Sequence, residues 1–237
     1  LDLWGENLVG MTMADGNAYE WAGNTATPAA AISNAPTGNG LVVTPEYILM
    51  ILGANGNARR VQWSDQGDNT NWTPSSTNQA GAQDLQTEGT LMCGLKINGG
   101  TLIFSDRDAF LATYTGGQFI YRFDRIGDGC GVVSQNCAVA VAGMAVWMGQ
   151  NGFWLYDGYA KPLPCDVWEY VFSDINRQQM SKATVEDNSE FGEVTWRYPS
   201  ASSVEVDRYV TWNYRENHWV FGTLARTVGM DAGLFSY

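Results

Sequence analysis

Large aromatic residues recur along the chain at nearly constant intervals, each at the centre of a cluster of short strand-like segments. The intervals are 42, 41, 43 and 49 positions, between Trp21, Trp63, Phe104, Trp147 and Trp196. Repeats of about 40–50 residues made of short antiparallel strands are typical of β-propellers, whose sheets bury large apolar side chains between them. The sequence therefore predicts an all-β, β-propeller-like array, and a β-sandwich is the alternative.

Glycine-containing turns separate the strand-like segments. Asp15-Gly16, Gly116-Gly117, Ala142-Gly143 and Asn151-Gly152 each stand between two such segments, and pairs of this kind favour hairpin turns. The 237 residues with 27 Gly suit one β-propeller-like domain over residues 1–237. Because the sequence opens inside a strand pattern without Met, we expect it to be part of a longer chain.

One segment departs from the strand pattern. Val167, Val171 and Ile175 stand at i, i+4 and i+8, which places them on one face of a helix. Asp166 stands where a capping side chain is expected. The sequence predicts a single inserted helix near residues 166–180.

The charge of the chain limits its relation to nucleic acid. It carries 13 Lys and Arg against 25 Asp and Glu, a net charge of −12. Tight, non-specific DNA binding needs clustered basic residues that release phosphate counterions, and this chain has no such cluster. No apolar run approaches the roughly 20 residues of a membrane span, so neither DNA nor a membrane is expected to be bound tightly.

The segment VQWSDQGDNTNWTP, residues 61–74, sets an oxygen-rich run between two tryptophans. Calcium-loop spacing from Asp65 fails, because Gly67, Thr70 and Ser76 fall where ligands or glycine are required. The segment approaches the Asp-box turn of sialidase-like propellers, with Ser64, Asp65, Gly67, Thr70 and Trp72 in the right order but at shifted spacing. We expect a turn whose oxygens bond its own backbone, with Trp63 buried in a sheet and Trp72 fixing the return of the loop. An adventitious cation is the alternative.

The cysteines and the histidine show no metal-site spacing. Cys93, Cys130, Cys137 and Cys165 form no C-x-x-C pair, and His218 is the single histidine of the sequence. A zinc site would need these scattered residues to converge. We expect four reduced, mostly buried thiols and no cofactor, with a Cys130–Cys137 disulfide left open.

Catalytic residues are hard to assign. A glycosidase needs two carboxylates on either side of the scissile bond, and a sialidase also needs an arginine cluster. The candidates near strand ends are Asp106, Asp108, Asp124, Asp128, Arg107, Arg122 and Arg125. Exposed acids at strand ends are ordinary in an acidic β-protein, so we expect a protein that is not an enzyme.

Two aromatic pairs alternate at period two, Trp154 with Tyr156 and Trp212 with Tyr214. Such pairs could stack on a sugar ring. Filling the space between neighbouring sheets is the more frequent use of such rings. We expect the second role.

From residue 127 onward the order of short motifs becomes specific. GCGVVS is followed by WMGQNG, FWLYDG, the helical segment and finally DRYVTWNYRENHWVFG. This order resembles the packaged-DNA-stabilisation and tail-hub (nozzle) proteins of short-tailed bacteriophages, and RRVQWSDQGDNTNW resembles their WSD…W hairpin. The signature residues are Trp63, Ser64, Asp65, Trp72, Ser134, Trp147, Gly149, Gly152, Tyr156, Asp157, Gly158, Tyr214 and Trp219.

The resemblance implies a structural virion protein of the phage tail, assembled in the host cytoplasm. Such proteins form a hexameric ring below the portal, contact portal or adaptor and other tail proteins, and let packaged DNA pass without tight binding. No catalytic residue, metal or cofactor comes with the resemblance. A carbohydrate-binding or glycan-cleaving propeller, such as a receptor-binding part of a virion, is the alternative, and a propeller scaffold that binds protein partners through its loops is a third.

Overall fold

The computed structural model of the protein describes residues 1–117 and 119–226. The chain divides into two compact units, residues 1–129 and residues 130–237. Each unit is built from four-stranded antiparallel sheets in which consecutive strands are neighbours. The expectation of one domain over residues 1–237 stays a prediction.

The first unit contains three of these sheets. Sheet 1 consists of β1 (Asp2–Trp4), β2 (Asn7–Met11), β3 (Ala18–Trp21) and β4 (Ala30–Ala31). Sheet 2 consists of β5 (Gly40–Val43), β6 (Leu49–Leu52), β7 (Arg60–Trp63) and β8 (Gly81–Asp84), with a 3-10 turn at Ala54–Gly56. Sheet 3 consists of β9 (Leu91–Ile97), β10 (Gly100–Ser105), β11 (Ala109–Tyr114) and β12 (Tyr121–Gly127).

In the described part of the second unit, residues 130–226, there are two sheets and helix α1. Sheet 4 consists of β13 (Ala138–Val141), β14 (Met144–Gly149), β15 (Gly152–Tyr156) and β16 (Ala160–Leu163). Helix α1 (Trp168–Asp174) and a 3-10 helix (Arg177–Lys182) follow. Sheet 5 consists of β17 (Thr184–Asn188), β18 (Glu193–Tyr198), β19 (Arg208–Asn213) and β20 (His218–Thr223).

The all-β, β-propeller-like fold predicted from the aromatic spacing is confirmed. Each of the five spaced aromatic residues lies in a different sheet. They are not equivalent, however, because Trp21 and Trp63 lie in third strands, whereas Phe104, Trp147 and Trp196 lie in second strands. The spacing therefore reports the number of sheets and not the position within a sheet.

Apolar side chains fill the contacts between neighbouring sheets, which we call junctions. Junction 1–2, between sheets 1 and 2, buries Trp4, Val9, Ala18, Ile32, Val43, Leu49, Ile51, Ala54 and Trp72. Junction 2–3 buries a larger cluster that includes Met50, Leu52, Trp63, Ile103, Phe110 and Tyr121. A single four-stranded sheet of this kind is not stable alone, because its apolar faces are buried only when it packs against a neighbouring sheet.

The first strands of neighbouring sheets lie side by side within the first unit. A Cβ atom at Gly40 would lie 2.3 Å from the Met92 carbonyl oxygen, and one at Gly94 would lie 2.5 Å from a methyl group of Val42. Only glycine permits β5 and β9 to approach so closely. Asp2 links β1 to both strands, because its carboxylate accepts hydrogen bonds from Val43 N of β5 at 2.8 Å and from Lys96 Nζ of β9 at 2.9 Å.

Helix α1 lies within the segment predicted to be helical but is shorter, and its cap differs. Val167 occupies the N-cap position and no side chain caps the helix, so the predicted capping by Asp166 is wrong. The helix ends because Ile175 turns extended and pairs with Ser200 in an isolated bridge. Val171 and Ile175 are buried, as the spacing predicts.

Candidate functional site

The oxygen-rich loop between β7 and β8 bonds mostly to itself. Asp65 Oδ1 accepts from Gln66 N and from Gln79 N, both at 2.9 Å. Ser64 Oγ accepts from Leu49 N at 3.2 Å and donates to Asp65 O at 3.0 Å. The signature oxygens of this loop therefore fix its backbone.

Asp68 closes the tip of the same loop. Its Oδ1 accepts from Thr70 Oγ1 at 2.6 Å and from Thr70 N at 2.9 Å, and these bonds hold the pKa of Asp68 below its usual value. Gly67 has φ 74° and donates its N–H to Tyr47 O. Within residues 1–117 and 119–226, no three carboxylate, thiol or imidazole groups lie close enough together to hold a metal ion.

Trp72 fixes its own loop, as predicted, and also packs between two sheets. It lies before β8 and is 4% exposed in junction 1–2, with Nε1 donating to Asn69 O at 2.7 Å. Asn69 Nδ2 donates to Glu20 Oε2 at 2.8 Å, and Asn34 Nδ2 donates to Thr70 O at 3.2 Å. The loop therefore fastens sheet 2 to sheet 1, rather than only turning back on its own strand. Trp63 is buried in its sheet, as predicted.

Ser134 performs the same task in the second unit. Its hydroxyl donates to Ala183 O, ahead of β17, and accepts from Asn136 N at 3.2 Å. Val185 N donates to Asn136 O at 2.7 Å, and Trp196 Nε1 donates to Cys137 O at 3.2 Å. The segment before sheet 4 is thus bonded to the first two strands of sheet 5, which defines junction 4–5.

Trp147 and the neighbouring glycine signature organise sheet 4. The indole of Trp147 is fully buried, donates to Cys130 O at 2.6 Å and stacks on Trp154 with ring centroids 6.5 Å apart. A Cβ atom at Gly149 would lie 2.8 Å from Trp154 Nε1. At the β14–β15 turn, Trp168 Nε1 of α1 donates to the Asn151 carbonyl beside Gly152, at 2.7 Å.

Trp219 lies in the aromatic cluster of junction 4–5. Its ring centroid is 4.8 Å from Phe153, 6.0 Å from Trp196 and 6.1 Å from Trp212, and Nε1 donates to Pro164 O at 3.0 Å. Phe172 of α1 contacts Phe153 edge to face at 5.4 Å. Rings at these separations attract each other beyond the area that they bury.

The remaining signature residues lie nearer the surface. Tyr156 is half-buried, and burial raises its pKa. Asp157 pairs with Lys161 at 2.6 Å, and Gly158 has φ 122°, where a side chain would be strained. Tyr214 packs beside Trp212, with centroids 6.1 Å apart. Trp154 packs against Trp147 within sheet 4, and Trp212 packs against Trp219 within sheet 5. These ring contacts lie within a sheet, so the expected filling between sheets stays a prediction for this pair.

The candidate carboxylates have different partners. Asp108 is 3% exposed, against the expectation of exposed acids, because it accepts from Thr87 Oγ1 at 2.5 Å and pairs with Arg125 at 3.3 Å. Asp106 accepts from Thr90 N at 2.8 Å. Asp124 pairs with Arg122, Arg107 lies 3.4 Å from Glu88, and Asp128 is exposed. Each arginine thus contacts a different carboxylate, and the structure does not gather them as a substrate clamp.

The thiols and the imidazole are accounted for separately. Cys93, Cys130 and Cys137 are buried and Cys165 is half-buried, and none of the four is joined in a disulfide, so the Cys130–Cys137 disulfide left open is not formed. Burial raises the pKa of Cys137 to about 12 and that of Cys165 to about 11. His218 is exposed, with Nδ1 3.3 Å from a Glu216 carboxylate oxygen.

An open cavity that the sequence analysis missed lies beside β8 and β12. It measures about 500 Å³ and is lined by Gln83, Thr115, Gly117, Phe119, Tyr121, Arg122 and Phe123. The period-two alternation of Phe119, Tyr121 and Phe123 could have indicated it, as the same alternation drew attention to Trp154 and Trp212.

A second, more apolar cleft lies on sheet 1. It measures about 550 Å³ and is lined by Leu1, Leu8, Gly10, Met11, Thr12, Tyr19, Trp21 and Ala29. Exposed apolar clefts of this kind are typical of surfaces that contact another molecule. In the described residues, no helix has the length and apolar character needed to cross a membrane.

Comparison with known proteins gives the fold and not the family. Neither a protein-family model nor a curated protein sequence matches the chain. A chain of a nidogen/laminin complex is similar over 97% of this chain and 83% of its own length, with a TM-score of 0.56 and 11% identity. A Bacteroides fragilis protein described as exported is similar over 93% of this chain and 69% of its own length, with a TM-score of 0.52 and 11% identity. At this identity the likeness supports the β-propeller-like fold alone.

Proposed function

We propose that the protein is a structural component of the tail of a short-tailed bacteriophage. In this role it is part of the tail hub or nozzle, a conduit that retains packaged DNA and lets it leave on infection. It acts as a homo-oligomer, a hexameric ring that contacts portal or adaptor and other tail proteins within the virion. It is not an enzyme and needs no cofactor.

The observation that carries the proposal is that the signature residues make structural contacts at several places in the fold. Trp72 and Ser134 fasten neighbouring sheets, and Trp219 packs between sheets 4 and 5. Trp147 is buried within sheet 4, and Asp65 closes a turn. Side chains retained for chemistry would be expected to converge on one cleft, whereas these serve rigidity in several places. A conduit that confines DNA under pressure needs rigidity of this kind.

The charge of the chain suits the same role. A net charge of −12 repels the phosphate backbone, so DNA inside an acidic ring would be confined without being bound. Low affinity allows the DNA to leave quickly.

The apolar cleft on sheet 1 suits a contact between subunits. Its lining includes Leu8, Tyr19 and Trp21 at an exposed sheet face, where contact with another copy would remove apolar surface from water. Within a ring, one surface of a subunit meets a different surface of the next.

Negative-stain electron microscopy and light scattering of the purified protein test the proposal. We expect sixfold rings for the unmodified protein and for Val204→Glu, which alters an exposed apolar residue outside the cleft. Leu8→Glu should reduce the rings, because it places a charge in the cleft. A monodisperse monomer that forms no ring, alone or in virions, would contradict the proposal.

A carbohydrate-binding protein is the second candidate, and the open cavity beside β8 and β12 favours it. That cavity presents aromatic rings and polar side chains together, the combination that lines small-ligand sites. Loss of glycan-array binding on changing this cavity, with no effect of Trp154→Ala, would favour this class.

A further inference from the structure

The geometry points to a binding site for a single sugar ring in the cavity lined by Gln83, Thr115, Phe119, Arg122 and Phe123. The inference rests on the carbohydrate-binding candidate and not on the conduit. It names the place on the molecule, the class of ligand and the side chains that would hold it.

Two phenylalanine rings supply the apolar part of the site. Phe123 is half-buried and packs against the core of junction 2–3. Its ring centroid lies 5.9 Å from that of Trp63 and 6.0 Å from that of Tyr121. Phe119 at the rim is 77% exposed. One ring is therefore fixed by the core, while the other offers most of its surface to a ligand.

Thr115 forms hydrogen bonds to the backbone carbonyls of Phe119 and of the residue that follows it. Thr115 Oγ1 donates to the Phe119 carbonyl, and Thr115 N donates to Ile120 O at 2.9 Å. These bonds link Thr115, which follows β11, to Phe119 and Ile120, which precede β12.

Polar groups stand beside these rings. Arg122 Nε donates to Asp124 Oδ2 at 2.6 Å, and Nη2 lies 2.5 Å from the same oxygen, which orients the guanidinium and offsets part of its charge. The remaining N–H groups of Arg122 can donate, and the exposed amide of Gln83 can both donate and accept. The cavity thus combines an apolar surface with a set of donors and acceptors.

A pyranose ring has the matching chemistry. One face carries C–H groups that pack on the electron-rich face of an aromatic ring, and its edge carries hydroxyls that donate and accept. The volume of about 500 Å³ lies within the range of small-ligand sites. Single-stranded nucleic acid, which also stacks on aromatic rings, needs a positively charged groove, and Arg122 is already paired with a carboxylate.

Saturation-transfer NMR of the full chain with sugars tests the inference. The probes are glucose, galactose, N-acetylglucosamine and their di- and trisaccharides at millimolar concentration. We expect at least one probe to bind, with affinity reduced at least tenfold by Phe119→Ala and by Gln83→Ala, and retained or increased by Phe119→Trp. Phe191→Ala, at a phenylalanine that is 59% exposed in the second unit, and Gln178→Ala are the matched controls and should bind as the unmodified protein does.

The outcomes separate the site from the function. If a sugar binds but Phe119→Ala and Gln83→Ala do not weaken it, the site is wrong while carbohydrate binding stands. If no probe binds, both are overturned, and the conduit proposal is decided independently by the rings on the grids. A proline-rich peptide that protects this cavity while sugars do not would also overturn the inference. Thermal unfolding of each variant shows whether the fold is intact, and Phe119→Ala should retain it because the side chain is exposed.

Discussion

Junction 1–2 of the first unit is filled mainly by aliphatic side chains, whereas the aromatic cluster of junction 4–5 consists of Phe153, Phe172, Trp196 and Trp219. The two junctions also differ in how far along the sequence their indoles find a hydrogen-bond acceptor. Trp72 donates within its own loop, whereas Trp196 and Trp219 donate to carbonyls 59 and 55 positions away. Aliphatic packing depends chiefly on volume, while an indole with a fixed acceptor also specifies orientation.

The largest effect is expected from truncating the aromatic junction. Trp196 is fully buried, so Trp196→Ala should lower the free energy of unfolding by about 3–5 kcal/mol. Trp196→Phe retains a ring but removes one of the two donors to the Cys137 carbonyl, to which Met148 N also donates at 3.2 Å. It also leaves part of the buried indole volume unfilled, so about 1–3 kcal/mol should be lost. Leu49→Met in junction 1–2 conserves volume and should cost less than about 1.5 kcal/mol.

Urea denaturation followed by circular dichroism measures all three variants. Equal losses in the free energy of unfolding for Trp196→Phe and Leu49→Met would show that the two junctions tolerate conservative changes alike. This result would contradict the expected difference between aromatic and aliphatic packing.

A smaller loss is expected where the first unit relies on close strand approach. Gly40→Ala places a Cβ atom 2.3 Å from the Met92 carbonyl oxygen, and the backbone shift that follows should cost about 1–3 kcal/mol. Gly117→Ala is the matched control, because no atom lies within 4 Å of the added Cβ. The melting temperatures of the two variants should therefore differ, and identical values would show that β5 and β9 can separate without penalty.

The smallest effect is expected from Asp68 at the loop tip. The Thr70 hydroxyl and N–H lower the pKa of Asp68 below its usual value of 3.8, so the folded state favours the ionised form. The stabilisation is present above pH 3.8 and is lost as the pH falls through the lowered pKa. Asp68 is exposed, so screening by solvent keeps the contribution below about 1 kcal/mol.

The stability of the unmodified protein and of Asp68→Asn, measured from pH 7 to pH 2, checks this. We expect the difference between the two proteins to shrink below pH 3.8. A difference that is constant across this range would contradict the assigned bonds, and Asp128→Asn at an exposed carboxylate outside the loop is the control.

Much of the fold could be predicted because it is encoded locally. Alternating apolar residues and turn glycines define strands within a few positions, and Ala142 and Gly143 adopt the consecutive positive φ angles of 48° and 80° that such turns favour. Helix α1 was placed correctly by its buried face, but its end depends on the bridge between Ile175 and Ser200, which no local pattern reports.

The candidate sites were harder to predict because they depend on contacts between distant segments. Asp108 looked like an exposed acid, yet Thr87 and Arg125 bury it. Trp72 looked like part of a hairpin, yet it packs against sheet 1. The exposure of Phe119 follows from the way in which β8 and β12 leave a cavity, and sequence alternation alone does not separate an exposed ring from a buried one.

Asp2 has a consequence for the way in which the first unit assembles. Its carboxylate accepts from Val43, 41 positions away, and from Lys96, 94 positions away. Closing loops of this length costs chain entropy before any contact compensates for it, so these bonds are expected late in folding. Once formed, they should make the first strands of the three sheets open together, so the amides of β1, β5 and β9 should exchange their hydrogens as one cooperative group.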